Sequence, residues 1–329
     1  MRRREFLFSL AVATATTPSI AHGQQADRVP RVDVLMGFPE NDPESKPRVE
    51  AFEQGLREVG LLVGRNVQIE YRWGTADPDQ TARNAKELID LKPDVIVGAT
   101  TPGVAALLRE TSTIAIVFMQ VADPLGQGFV ANLARPGGNI TGFTSFEFSL
   151  GGKWLEILKE IAPKVTRVEL VFNPDTVPYD AFIGSIEAAA PSFAVQPVTA
   201  PVHGPSEIEV AINSFAQEPN GALVVLPDIH IAVHRQLVIN LAAKYRLPAV
   251  SGLPYFASDG GLVTYGPDTI EPYRRAAAYV DRILKGTKPG ELPVPQPIKY
   301  ELIINMKTAN ALGLDVPLYL QQQADQVIE

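Results

Sequence analysis

The sequence predicts an α/β protein of two doubly wound, parallel-sheet lobes, each assembled from two discontinuous pieces. Three observations carry that prediction. From Val32 onward short apolar, β-rich runs alternate with longer segments of helical period, the pattern of a parallel sheet covered on both faces. Comparable elements then recur at a similar offset: Val32 to Val168 is 136 residues, Val95 to Ala222 is 127 and Ile114 to Pro248 is 134. Finally, the chain continues past Gly252 with a further strand, a further helix and a proline-rich stretch, enough to return to the first lobe and finish the second.

In the first half the pattern reads strand 32–38, helix 47–59, strand 67–73, helix 78–91, strand 95–99, helix 102–110 and strand 114–119. Val49, Phe52, Leu56 and Val59 fall at spacings of three and four, which puts them on one helix face against the sheet, and Gly60 ends that helix. The second series is helix 149–161, strand 168–173, helix 179–190, strand 194–199, helix 205–216, strand 222–226, helix 230–245 and strand 248–251. Residues 260–266 give another strand and 273–285 another amphipathic helix. Pro289, Pro293, Pro295 and Pro297 make a stiff, extended crossing with few backbone donors. The last strand, 300–306, completes the second lobe. The expected division is 30–143 plus 253–292 for the first lobe and 146–250 plus 296–329 for the second.

Residues 1–23 stand apart. Arg2, Arg3 and Arg4 precede an apolar run from Phe6 to Ala15 and then Pro18, the order of a secretory signal peptide, and the run is about half the roughly 20 residues a membrane span needs. Arg3-Arg4-Glu5-Phe6-Leu7 fits the twin-arginine pattern, while a general secretory signal would look similar. Small residues place cleavage between His22 and Gln24. Removing the leader shifts the formal charge from −8 to about −10, an acidic balance that argues against nucleic acid or anionic lipid as partner. The chain has no cysteine, which excludes disulfides, thiolate chemistry and a lipid anchor on cysteine. A free periplasmic protein, monomeric, is expected.

The densest motif is Ala115-Ile116-Val117-Phe118, continuing through Asp123-Pro124-Leu125-Gly126 to Leu133-Ala134-Arg135-Pro136-Gly137-Gly138-Asn139-Ile140-Thr141-Gly142. It resembles the ABC-transporter substrate-binding family that includes tryptophan- and tyrosine-binding proteins. Gly260-Gly261-Leu262, Thr264-Tyr265-Gly266, Ile283-Leu284-Lys285-Gly286 and Asn305-Met306-Lys307-Thr308-Ala309 resemble the same family in the same order. The resemblance implies the type I periplasmic-binding fold, three crossings between lobes near Thr144, Ser251 and Pro293, a small organic solute (an amino acid or an aromatic or apolar carboxylate) in the cleft, and an inner-membrane ABC permease as partner. A periplasmic sensor that signals to a membrane receptor would use the same cleft.

In a doubly wound sheet ligands sit beyond the carboxyl ends of the strands. Those ends supply the candidate site: Phe38, Thr101, Asp123, Ser145, Phe146, Asn173, Tyr179, Asp228 and Ser251. Thr101 reads equally as a helix cap or a ligand contact, and Asp123 as a cap or a carboxylate at the cleft rim. Phe146 and Tyr179 could sandwich a planar group or pack in a core. Asp228 keeps the acidic position of the family's Pro-Thr-Asp-Asn-like element without its threonine and asparagine. Phe172-Asn173-Pro174 resembles the family's Tyr-Asn-Pro, but Val177-Pro178-Tyr179 replaces the small polar pair beyond it. These departures put an α-amino-acid ligand in question. No cofactor, metal or catalytic constellation is expected: His230 and His234 read as exposed residues lacking a third ligand, no histidine is expected at the cleft, Gly126-Gln127-Gly128 lacks the third glycine of a dinucleotide loop, and no Gly-x-Ser-x-Gly elbow occurs.

Overall fold

The computed structural model describes residues 28–145 and 147–329, so the leader 1–23 and Phe146 lie outside the described residues. Two sheets organise the rest. The first is wholly parallel, in the order β2-β1-β3-β4-β5, with β1 Arg31–Leu35, β2 Gln68–Arg72, β3 Val95–Ala99, β4 Ala115–Val121 and β5 Ile140–Thr144. Between these strands run α1 (Ser45–Glu58), α2 (Pro78–Asp90) and α3 (Thr101–Glu110). The second sheet has the order β12-β11-β10-β9-β8-β6-β7, built from β6 (Arg167–Phe172), β7 (Gln196–Pro201), β8 (Gly221–Val225), β9 (Ala249–Ser251), β10 (Val263–Pro267), β11 (Tyr300–Asn305) and β12 (Gln326–Ile328). Its one antiparallel pair is β10 with β11. Its helices are α4 (Leu150–Ile161), α5 (Asp180–Ala189), α6 (Pro205–Phe215), α7 (Ile229–Val233), α8 (Arg235–Tyr245), α9 (Tyr255–Ser258), α11 (Met306–Leu312) and α12 (Leu318–Gln323), while α10 (Glu271–Leu284) packs back on α1 of the first lobe.

The strands are apolar on both faces because both faces are covered. In the first sheet Val32, Val34, Val95 and Val97 meet Phe52 and Leu56 of α1 and Ala277 and Val280 of α10, while Leu35, Ile96, Ile116 and Phe118 meet Leu88 of α2 and Val104 and Leu107 of α3. The helices α1 and α10 approach so closely that a Cβ at Gly55 would stand 2.2 Å from the Arg274 carbonyl oxygen. In the second sheet Val168, Leu170, Ala222 and Val224 meet Trp154 of α4 and Phe182 of α5, and Leu223 and Val225 meet Ile208 and Ile212 of α6. No helix among the described residues is long and apolar enough to cross a membrane.

Three expectations need correction. The predicted strand at 260–266 is β10, which pairs with β9 and β11 of the second sheet, so residues 253–267 do not belong with the first lobe. The second crossing consequently lies between Pro267 and Glu271, not at Ser251. Ser251 is buried in β9 inside the second sheet, where the chain has no freedom to bend. The predicted helix 230–245 is two helices, broken at His234, and β5 and β12 were not anticipated. All three crossings now converge: Thr144, Pro267, Asp268 and Pro295 to Lys299 line one groove, and the Pro295 carbonyl accepts the Thr144 N–H at 3.3 Å.

The first strand of each lobe carries the same device, Arg31-Val32-Asp33 and Arg167-Val168-Glu169, with the acid buried in the sheet. Asp33 receives the Arg31 guanidinium at 2.8 Å, whereas Glu169, 4% exposed, has an oxygen with no partner. Burial pushes the Glu169 carboxyl up to about 7 against the pull of Arg167. A folded-state value above the unfolded one means that the native state binds the proton more tightly, so stability is lost as pH rises through roughly 4.5 to 7. Glu169→Gln removes that cost; it is expected to stabilise by about 2 kcal/mol above pH 7 and by little near pH 4, read from melting curves across that range.

Candidate functional site

The carboxyl ends of the two sheets face each other, and loops from both enclose a cavity of about 50 Å³ that opens into a wider mouth of about 480 Å³. From the first lobe Phe38, Thr100, Thr101, Gln120 and Ala122 line the inner cavity. From the second come Thr176, Val177, Asp228, Leu253 and Tyr255. Phe38 shows how tightly the lobes meet: it follows β1, yet it is 1% exposed, packs within the second lobe's core and meets the Tyr255 ring edge-on at 5.8 Å.

The first-lobe wall is held by unusual backbone. Thr100 has φ 67° and ψ 154°, a region that a β-branched residue enters only at a cost, and its hydroxyl caps α3 by accepting the Gly103 N–H at 3.4 Å. Gln120 has φ 55° at an irregularity in the β4–β5 pairing, where a bulge re-aims a side chain. Its Oε1 accepts the Tyr273 hydroxyl at 2.7 Å. Thr101 is buried, and its Oγ1 accepts the Ala122 N–H at 3.4 Å.

The second-lobe wall centres on Asp228. Its Oδ1 accepts the Ile231 N–H at 2.7 Å, capping α7, and its Oδ2 accepts the Tyr179 hydroxyl at 2.8 Å and the Thr176 hydroxyl. Burial raises its pKa, with those three donors working against the shift. Tyr179 is wholly enclosed, and burial lifts its phenol well above the usual range.

Two buried arginines sit behind the aromatic wall. Arg48, 0% exposed, bonds the Glu44 carbonyl at 2.6 Å and the Thr269 hydroxyl at 2.9 Å, and lies 4.8 Å from the Phe38 ring centroid and 5.6 Å from that of Tyr255. Arg235 lies 5.3 Å from the Tyr255 centroid. It reaches across the cleft to Asp42 with two bonds, 2.9 and 3.0 Å, and holds Asp259 of its own lobe at 2.5 Å.

Of the residues singled out from sequence, Phe38, Thr101 and Asp228 line the inner cavity and Asn173 lines its mouth, where its Oδ1 accepts the Asp175 N–H at 2.9 Å. Tyr179 stands behind Asp228. Asp123 instead closes a turn, accepting the Gly126 N–H at 2.8 Å. Ser145 is buried at the end of β5, and the Ser251 hydroxyl accepts the Leu253 N–H at 3.3 Å; neither lines the cavity. Phe146 lies outside the described residues. The histidine expectation is overturned: His230, on α7, is buried, and it and His203, in the loop between β7 and α6, both line the mouth. The described residues contain no cluster placed to hold a metal ion. Gln120, Thr176, Tyr255, Arg48 and Arg235 were missed. A signal for one existed: Arg48 precedes Phe52 by one helical turn and shares its buried stripe.

The family described as ABC transporter substrate binding protein matches residues 40–328. A tyrosine-binding protein of Clostridioides difficile (strain R20291) is 28% identical over 265 residues, covering 80% of this chain and 76% of the relative. Among solved structures, a conserved domain protein of Vibrio cholerae aligns at 27% identity over 91% of this chain and all of its own, with a TM-score of 0.84. The ABC domain in complex with L-Trp from Streptococcus pneumonia aligns at 24% identity over 92% and 100%, also at 0.84, a likeness of fold.

Proposed function

The chain belongs to the ABC transporter substrate-binding protein family, and on that premise we propose that it is the periplasmic binding component of an importer, capturing a small organic solute between its lobes and presenting it to an inner-membrane ABC permease. The observation that carries this reading is the cavity itself, whose walls come from both lobes beyond the carboxyl ends of two separate parallel sheets. Binding there is conditional on lobe closure. The converging crossings supply the hinge, the leader supplies export, and the protein acts as a monomer that binds without chemical turnover. The relatives' names, tyrosine-binding and bound to L-Trp, support a ligand of amino-acid size with an aromatic or apolar body. A micromolar dissociation constant corresponds to about 8 kcal/mol, which a buried apolar body and several hydrogen bonds supply after ordering costs.

The test is a thermal-shift screen of amino acids, aromatic acids and small peptides, since a solute at about 100 times its dissociation constant stabilises by about 2.7 kcal/mol. Small-angle scattering with the best solute is expected to show a smaller radius of gyration than the unliganded protein. An unchanged scattering curve at saturation would contradict closure about the hinge.

A further inference from the structure

We infer that the solute presents a carboxylate to the first-lobe wall and carries no ammonium group: the cavity offers Gln120 and Thr101 as donors, while the acid on its opposite wall, Asp228, already holds three protein donors. The inference rests on the solute-binding reading above and narrows its chemical class.

The polarity of Gln120 is fixed from behind. The Tyr273 hydroxyl stands 2.7 Å from Gln120 Oε1, and an amide oxygen only accepts, so the phenol's proton goes to Oε1. With Oε1 engaged, the amide NH₂ of Gln120 is the group left for the cavity. Thr101 has the same bias: its Oγ1 accepts from the Ala122 N–H, leaving the hydroxyl proton to donate. Two such donors suit one carboxylate.

An ammonium finds no counterpart. Among the described residues Asp228 is the inner cavity's one acid, with Ile231, Tyr179 and Thr176 occupying both its oxygens, and Asp175 lines only the outer mouth, where its side chain is 75% exposed. The polar position beyond Asn173 is the apolar Val177. Cation–π binding is pre-empted as well, because Phe38 and Tyr255 already carry the Arg48 and Arg235 guanidinium groups within 6 Å. An ammonium would shed its water without replacement, whereas a carboxylate would not.

Matched solutes separate the alternatives by calorimetric titration of the mature protein: 3-phenylpropionate, L-phenylalanine and phenethylamine, with 4-methylpentanoate, L-leucine and isoamylamine for an aliphatic body. The carboxylate of the fitting set is expected to bind at least about tenfold more tightly than its amino acid, and the amine not at all. Gln120→Glu should abolish carboxylate binding. Tyr273→Phe should reduce the preference for 3-phenylpropionate over its neutral amide, a ratio that a purely structural loss would leave alone. An amino acid or amine that binds as tightly as the matching carboxylate overturns the inference while leaving the solute-binding reading intact. Silence from all six, with no compaction in scattering, removes that reading and the inference with it.

Discussion

Arg235→Ala is expected to weaken solute binding about a hundredfold, because it leaves Asp42 without its partner only when the lobes close. Side chains of Arg235 and Asp42 are 8% and 10% exposed in the closed arrangement, and their two bonds are the charged contact spanning the cleft. When the lobes part, Asp42 regains water and its cost disappears. Removing one member of a buried pair typically costs 3 to 5 kcal/mol, and water entering the space left by the guanidinium argues for the lower end, about 3 kcal/mol. Arg235 also holds Asp259 within its own lobe, so a second variant isolates the bridge. Asp42→Ala spares the Asp259 pair and should lower affinity about tenfold with a nearly unchanged unliganded melting point. Calorimetry beside melting of both variants provides the check. Wild-type affinity in both would show that the bridge adds nothing to closure.

Asp228→Ala is expected to act in the opposite sense, costing about 3 kcal/mol of stability while changing carboxylate affinity by less than about threefold. The carboxylate is the hub of its wall: it caps α7 through Ile231 and gives Tyr179 and Thr176 their acceptor. Alanine leaves an uncapped helix and two enclosed hydroxyls that must fall back on the Pro227 and Asn173 carbonyls, at 3.1 and 2.9 Å. Thermal melting and titration with the best carboxylate read the two effects separately. A large loss of affinity with an unchanged melting point would make Asp228 a direct ligand contact.

The layered architecture is legible in the amino-acid order, because alternation of β-rich runs with amphipathic helices reflects burial that each strand and helix face experiences locally. Val34 and Leu35, or Val95, Ile96 and Val97, apolar on successive positions that face opposite ways, announce a sheet covered on both sides. Part of the cleft lining is legible as well, since strand ends and helix starts act as punctuation: Phe38, Thr101, Asn173 and Asp228 all reach the cleft from such positions. Which sheet β10 joins is visible in the fold alone, because pairing with β9 and β11 is a contact between separate segments that its own residues do not encode. The same holds for roles within the site. Asp123 and Asp228 are both acids beyond strand ends, yet one closes an exposed turn and the other anchors a buried wall, a difference set by neighbours 3 and 49–52 residues away. Arg235 pairs with Asp42 of the other lobe, and both side chains are nearly buried because closing the two lobes removes water from charges that each lobe alone would leave wet.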